Sequence, residues 1–331
     1  CSGTSSENEE AAAGAPATTV ADGPGESHES QRPRLPAGVR EPTAREVPQH
    51  EATSCAANHI WCPHCIAAKG QATPHRDSDE QSTVTEVAID YGYVGRGDAS
   101  LALILCCKCA GCLENYACTA VPRKGVDKYT VSYLVGWIKS LGFKRVVVRS
   151  DNERARLKLI DVTSNNLPSV ELVPKNSLEG DDQANGMAEV VLRELKGHIR
   201  AIRSMLVSKY GQRLQETEPI LAWIPRHAAN VINRYRVGPD GRTSEWRRAG
   251  RQWGRPAVGF GEAVFFRRAG GQREAKKNSG EQIMQKGIFG GHHERTGAIL
   301  LMTPEGFDRG VGRHQLLEKD KWDVAFVMQC H

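Results

Sequence analysis

The chain has 331 residues, 39% hydrophobic and 25% charged, with a formal net charge of +5. That length allows two small domains or one core with appendages. The longest apolar stretch, Leu101 to Cys107, is far too short to cross a bilayer, so a membrane span is excluded. The charge is uneven: residues 1–80 carry 6 Lys/Arg against 12 Asp/Glu, and the remainder carries 38 against 27. A basic body behind an acidic tail suits a polyanionic partner and argues against a small-molecule substrate.

Residues 1–48 are rich in Ala, Gly, Ser, Glu and Pro and bury too little to offset their ordering entropy; a disordered tail is expected. A cysteine- and histidine-bearing segment follows over residues 49–78. Val84–Tyr93, Leu101–Lys108 and Tyr116–Val121 then read as three strands spaced for antiparallel pairing. Asp127–Leu141 reads as a helix stopped by Gly142. Lys144–Arg149 is a short buried strand, and Ser150 with Glu153 spells a capping box for a helix running to Val162. Val170–Val173 is a fifth strand. Residues 174–186 form a polar, glycine-bearing loop before two helices, Met187–Lys209 and Pro219–Tyr235. Beyond Trp253, Ala263–Arg267, Gln282–Phe289 and Ala298–Thr303 suggest a small β-rich appendage over residues 255–325. Three strands, a helix, a strand, a helix and a strand make a ribonuclease-H-like α/β order over residues 82–240, a mixed five-stranded sheet with helices.

The ten cysteines fit a reduced intracellular compartment better than a disulfide scaffold. The chain opens on Cys1 rather than Met, as a piece of a longer product would. Cys62 and Cys65 form a pair with the bite for tetrahedral Zn²⁺. Cys106, Cys107, Cys109 and Cys112 fall in or just after the second strand, where alternation sends them to opposite faces; buried thiols are expected there.

Three acids stand in distinct contexts. Asp90 ends an apolar run, Asp151 follows Val146-Val147-Val148-Arg149-Ser150, and Glu189 lies just inside the long helix. The gaps between them are 61 and 38 residues. One acid per element lets distant residues converge where strand ends meet a helix start, which is how oxygen-ligand sites for Mg²⁺ are assembled. Singly, each is more often a turn, cap or first-turn residue.

The surrounding words carry a resemblance. Val121-Pro122-Arg123-Lys124-Gly125, Ser150-Asp151-Asn152-Glu153, Asp182-Gln183-Ala184-Asn185-Gly186-Met187-Ala188-Glu189 and Ala229-Asn230-Val231-Ile232-Asn233-Arg234-Tyr235 resemble the Asp-Asp-Glu core of retroelement integrases. The likeness is greatest to copia-type polyproteins such as retrotransposons of dinoflagellate genomes, and covers roughly residues 50 to 325. It implies a polynucleotidyl transferase that processes DNA 3′ ends and joins strands. Two Mg²⁺ or Mn²⁺ ions would activate the attacking hydroxyl and neutralise the leaving oxygen, with Asp90 shared and Asp151 and Glu189 completing one site each. Residues 49–78 resemble the integrase zinc finger. The family supplies two upstream histidines; here His50 is one residue out of register, Cys55 takes the second position, and His59 could substitute, so a degenerate loop without zinc stays open.

Arg193, Lys196, Arg200 and Arg203 continue a stripe down the helix from Glu189, with Val191, Leu195, Ile199, Ile202 and Leu206 turned elsewhere. With Lys175 and Asn185 they are the expected nucleic-acid contacts. The resemblance further implies double-stranded DNA as partner, a homo-oligomer on that DNA, and a nuclear place of action. The alternative is a decayed or domesticated copy that binds nucleic acid without catalysis, favoured by the irregular finger and by Val190 where relatives often carry Arg.

Overall fold

The structure, a computed structural model, describes residues 40–69, 85–95, 102–111, 113–150, 152–176, 182–268, 283–294 and 296–330. Two short helices come first, α1 (Glu46–Ala52) and α2 (Pro63–Lys69). Strands β1 (Glu86–Val94), β2 (Ala102–Cys109) and β3 (Asn115–Ala120) lead into α3 (Lys128–Leu141), β4 (Arg145–Ser150), α4 (Arg154–Asn165) and β5 (Glu171–Asn176). The helices α5 (Asp182–Tyr210), α6 (Pro219–Tyr235) and α7 (Ser244–Ala249) precede four further strands. These are β6 (Ala263–Arg268), β7 (Gln285–His292), β8 (Ile299–Thr303) and β9 (Gly306–Gln315).

The first five strands form one sheet in the order β3-β2-β1-β4-β5. Its first three strands are antiparallel, and β4 and β5 run parallel to β1. That is the ribonuclease-H-like arrangement. Central β1 is covered on both faces, which is why Val87, Ala88 and Ile89 are all buried rather than alternating. On one face α3 and α4 bury Leu134, Ile138, Leu159 and Ile160 against Ile89, Leu105 and Cys107. On the other, Val191, Leu195 and Ile199 of α5 pack on Ile104, Cys106 and Cys118. The cysteines thus divide between faces as strand alternation dictates; Cys112 lies outside the described residues.

Local signals explain the elements. Asp127 caps α3 by accepting the Tyr129 and Thr130 amides, and Gly142 closes it at φ 81°. The expected capping box is not formed. Glu153 is itself the N-cap of α4 without a side-chain cap bond, and Ser150 is the buried end of β4. The Glu153 carboxylate bonds Lys124 at 2.9 Å instead. The loop expected over residues 174–186 is shorter too, because β5 extends to Asn176 and α5 starts at Asp182.

Strands β6 to β9 close into a barrel; the expected β-rich appendage gains β9, a strand the sequence pattern did not give. Its interior is narrow. A Cβ on Gly287 would come within 2.9 Å of Phe266 Cε1, and one on Gly310 within 2.9 Å of Leu301 Cδ1, so glycine there makes room for the buried Phe266. Phe260, Ala263, Ile288 and Met302 join the core that α5 and α6 build over the sheet.

Candidate functional sites

Asp90 sits on β1 directly opposite Cys106 of β2, hence on the α5 face of the sheet. Two residues on, Gly92 shares that face and meets Leu192 of α5 so closely that a Cβ would run into Leu192 Cδ1. Val94 packs into the same α5-lined core. With Lys196 and Ile199 it lines a cavity of about 290 Å³. The strand and the helix therefore advance in the same sense. Glu189 is exposed, one turn before Leu192. Asp151 follows Ser150, the last residue of β4, and lies outside the described residues, as does the Asn185 side chain.

The Asp90 carboxylate is already engaged. Its Oδ1 accepts the Tyr91 amide at 2.6 Å and lies 2.9 Å from Arg156 Nη1. Arg156 belongs to the first turn of α4 and its side chain is 5% exposed. Nη2 pairs with Glu153 at 3.1 Å, the Ile89 carbonyl lies 3.4 Å from Nη1, and the guanidinium stands 5.8 Å from the Tyr91 ring centre. As held here, Asp90 Oδ1 is shared between the Tyr91 amide and the Arg156 guanidinium, so any cation on that oxygen would meet Arg156 first. Sequence reasoning missed Arg156, although a signal was there. Arg156, Leu159, Ile160 and Thr163 are the buried residues of α4, and an arginine on that spacing needs a partner inside.

A second cluster is complete. One ligand atom from each of His50, Cys55, Cys62 and Cys65 lies within 4.8 Å of all the others, and all four residues are buried. Cys62 opens the turn into α2, and the Cys65 amide points at Cys62 Sγ at 3.4 Å. His50, in the last turn of α1, turns Nε2 to Cys65 Sγ at 3.3 Å. Ser54 and Cys55 both adopt left-handed φ, 52° and 57°, which swings Cys55 under α1. Hydrogen bonds from Cys55 and Cys65 hold the Cys62 thiol far below its usual range. Against the burial that opposes its charge, Cys62 and Cys65 raise His50 to about 9. Three thiols and an imidazole sharing protons this way fit a tetrahedral soft cation such as zinc. His59 is not in the set; it stacks on Trp61 at 4.9 Å and meets the His50 ring edge-on at 4.8 Å.

The basic stripe is partly consumed by the fold. Arg203 pairs with Glu216, and Arg200 donates to the Ala68 carbonyl at the end of α2. Lys175 lies 3.5 Å from Glu86. Arg193 is exposed and Lys196 half-buried. Arg213, not anticipated from the sequence, joins Lys196, Arg200 and Arg203 around the cavity beside Val94.

No family model and no curated protein matches the sequence. Among solved structures, the chain is similar to one in the simian T-cell lymphotropic virus intasome in complex with PP2A regulatory subunit B56 gamma. The identity is 12%, the TM-score 0.36, and the match spans 76% of this chain and 87% of the other. It is also similar to the catalytic core domain of BIV integrase, at 14% identity and TM-score 0.33 over 50% of this chain and 93% of that one. The HTLV-2 integrase catalytic core domain in complex with magnesium, in a trimeric form, matches at 13% identity and TM-score 0.36, over 49% and 95%. Two of the three are integrase cores. No helix among the described residues is long and apolar enough to cross a membrane.

Proposed function

We propose that this chain is a retrotransposon integrase of the copia type, a polynucleotidyl transferase acting on double-stranded DNA ends, with Asp90, Asp151 and Glu189 as its reaction centre. One observation supports the grouping of these acids: the seat of Leu192 on Gly92. Counting two residues back along β1 from that contact reaches Asp90, about 6.6 Å away. Counting three back along α5 reaches Glu189, about 4.5 Å away. Strand and helix run the same way, which supports a reading in which the two acids would come level, with Asp151 next in sequence after the end of adjacent β4. Arg193 and Lys196 continue from Glu189 along the helix, where a phosphate backbone would run. A zinc ion held by His50, Cys55, Cys62 and Cys65 would fix α1 and α2 against α5. Assembly of several copies on DNA, in the nucleus, belongs to the same proposal.

The test is a metal-titrated nicking and strand-transfer assay on oligonucleotide ends, run beside Asp151→Asn. Mg²⁺- or Mn²⁺-dependent product that disappears in the variant is expected; product that survives the substitution overturns the assignment. A second function, nucleic-acid binding without catalysis, is favoured by the ion pair between Arg156 and Asp90. DNA binding with no metal-dependent product at any metal concentration would select it.

A further inference from the structure

The assignment of Asp90 as the carboxylate between two cations is the premise here, and a cation already stands there. Arg156 Nη1 is 2.9 Å from Oδ1, the oxygen that also accepts the Tyr91 amide. A Mg²⁺ ion on the same oxygen would sit at about 2.0–2.1 Å, so guanidinium and metal would compete for the same lone pairs. The guanidinium stays protonated at any working pH. Nor does it lie on the surface, where it could swing away into water. Its side chain is 5% exposed, between the Ile89 carbonyl, the Tyr91 ring and Glu153, and the Leu159 and Ile160 side chains anchor α4 in the core beneath it. Glu153 holds the other arm of the fork, so the guanidinium keeps one anionic partner if it leaves Asp90.

We propose that Arg156 is a built-in counter-ion occupying the place of one divalent ion at Asp90, with Glu153 as its alternative seat. Metal loading at Asp90 then requires the guanidinium to withdraw from Oδ1 toward Glu153. Integrase-type catalysis then becomes conditional on the guanidinium shifting from Asp90 to Glu153. The charge logic is direct: the interior of the site holds one cation against Oδ1, and two are mutually repelled.

The experiment is Mn²⁺ binding to the zinc-loaded full chain, followed by the electron paramagnetic resonance signal of free Mn²⁺. Arg156→Met is expected to bind Mn²⁺ at least tenfold more tightly than the parent, whereas Arg156→Lys, which keeps the charge, stays near it. Parent-like or weaker binding in a cooperatively melting Arg156→Met overturns the proposal. Where Arg156→Met does not fold, Arg156→Gln removes the charge with closer shape and is read the same way. If neither folds, Arg156 is a fixed structural cation and the proposal falls. If the gain in Arg156→Met survives addition of Asp90→Asn, the ion is not at Asp90, and the reaction-centre assignment falls together with this proposal.

Discussion

At the scale of single residues, the Arg156–Asp90 pair makes a prediction about stability as well as metal binding. Removing one member of a buried ion pair strands the other charge, at a cost of about 3–5 kcal/mol, while replacing both with apolar groups is close to neutral. Because Glu153 still pairs with Arg156, Asp90→Asn is expected to cost the parent less than that, about 1.5 kcal/mol for one lost hydrogen bond to a charged group, and the Arg156→Met background less again. A denaturant double-mutant cycle measures the difference, and equal costs in the two backgrounds would remove the pair from the account. The metal cluster predicts one zinc per chain by elemental analysis, lost in Cys62→Ser and kept in His59→Ala. Zinc lost equally in both would put His59 back among the ligands. The sequence showed Cys62 and Cys65 by their spacing and His50 and Cys55 by resemblance. It could not choose between Cys55 and His59, because that depends on the left-handed turn at Ser54 and Cys55, which no ordinary preference of those residue types announces. Arg156 was hidden for a similar reason: a charge on an apolar face reads as surface until its partner is known.

At the scale of elements, β1 to β5 were legible as short apolar runs bounded by polar residues, and α3, α5 and α6 by their helical periodicity. The start of α5 was not. Gly186 and Asn185 argue for loop locally, whereas α5 already runs from Asp182. Also invisible was the way α6 closes the sheet. Asn233 accepts the Tyr116 amide at 2.8 Å and donates to its carbonyl at 2.7 Å, so one side-chain amide pairs with edge strand β3 as a neighbouring strand would. Asn233→Ala is expected to cost about 2 kcal/mol, from two lost bonds to buried backbone groups. The measurement is urea unfolding together with a light-scattering check for self-association through the freed edge. A change under about 0.5 kcal/mol, the range of ordinary surface substitutions, would show that α6 is held by its apolar face alone.

At the scale of the whole molecule, burial of histidines sets the response to acid. Burial, then Arg234, lowers His227 to about 3; burial, Arg234 and His227 lower His292 to about 2; burial pushes His198 down as well. Each group is neutral when folded and takes up a proton near its ordinary pKa of about 6.5 when unfolded. The unfolded state then binds more protons, so stability is complete above about pH 6.5 and falls as the pH drops toward 3, by up to about 1.4 kcal/mol per pH unit for each histidine. Unfolding midpoints measured between pH 7 and 4 should show this slope, and His227→Gln should flatten it. A pH-independent midpoint over that range would mean that these histidines titrate alike in both states.

The hydrogen bond between Ser54 Oγ and His227 Nε2, 2.9 Å long and wholly buried, joins the loop that presents Cys55 to the middle of α6. The other edge of that imidazole lies under the barrel, with Nδ1 3.2 Å from where a Cβ on Gly291 would be and the ring 4.8 Å from Phe260. A single side chain thus bridges the cysteine-bearing knuckle and the four-stranded cylinder. Chelation should accordingly be felt at the far end: amides of β7 would exchange faster with solvent deuterium once zinc is stripped, although none of them lies among the ligands.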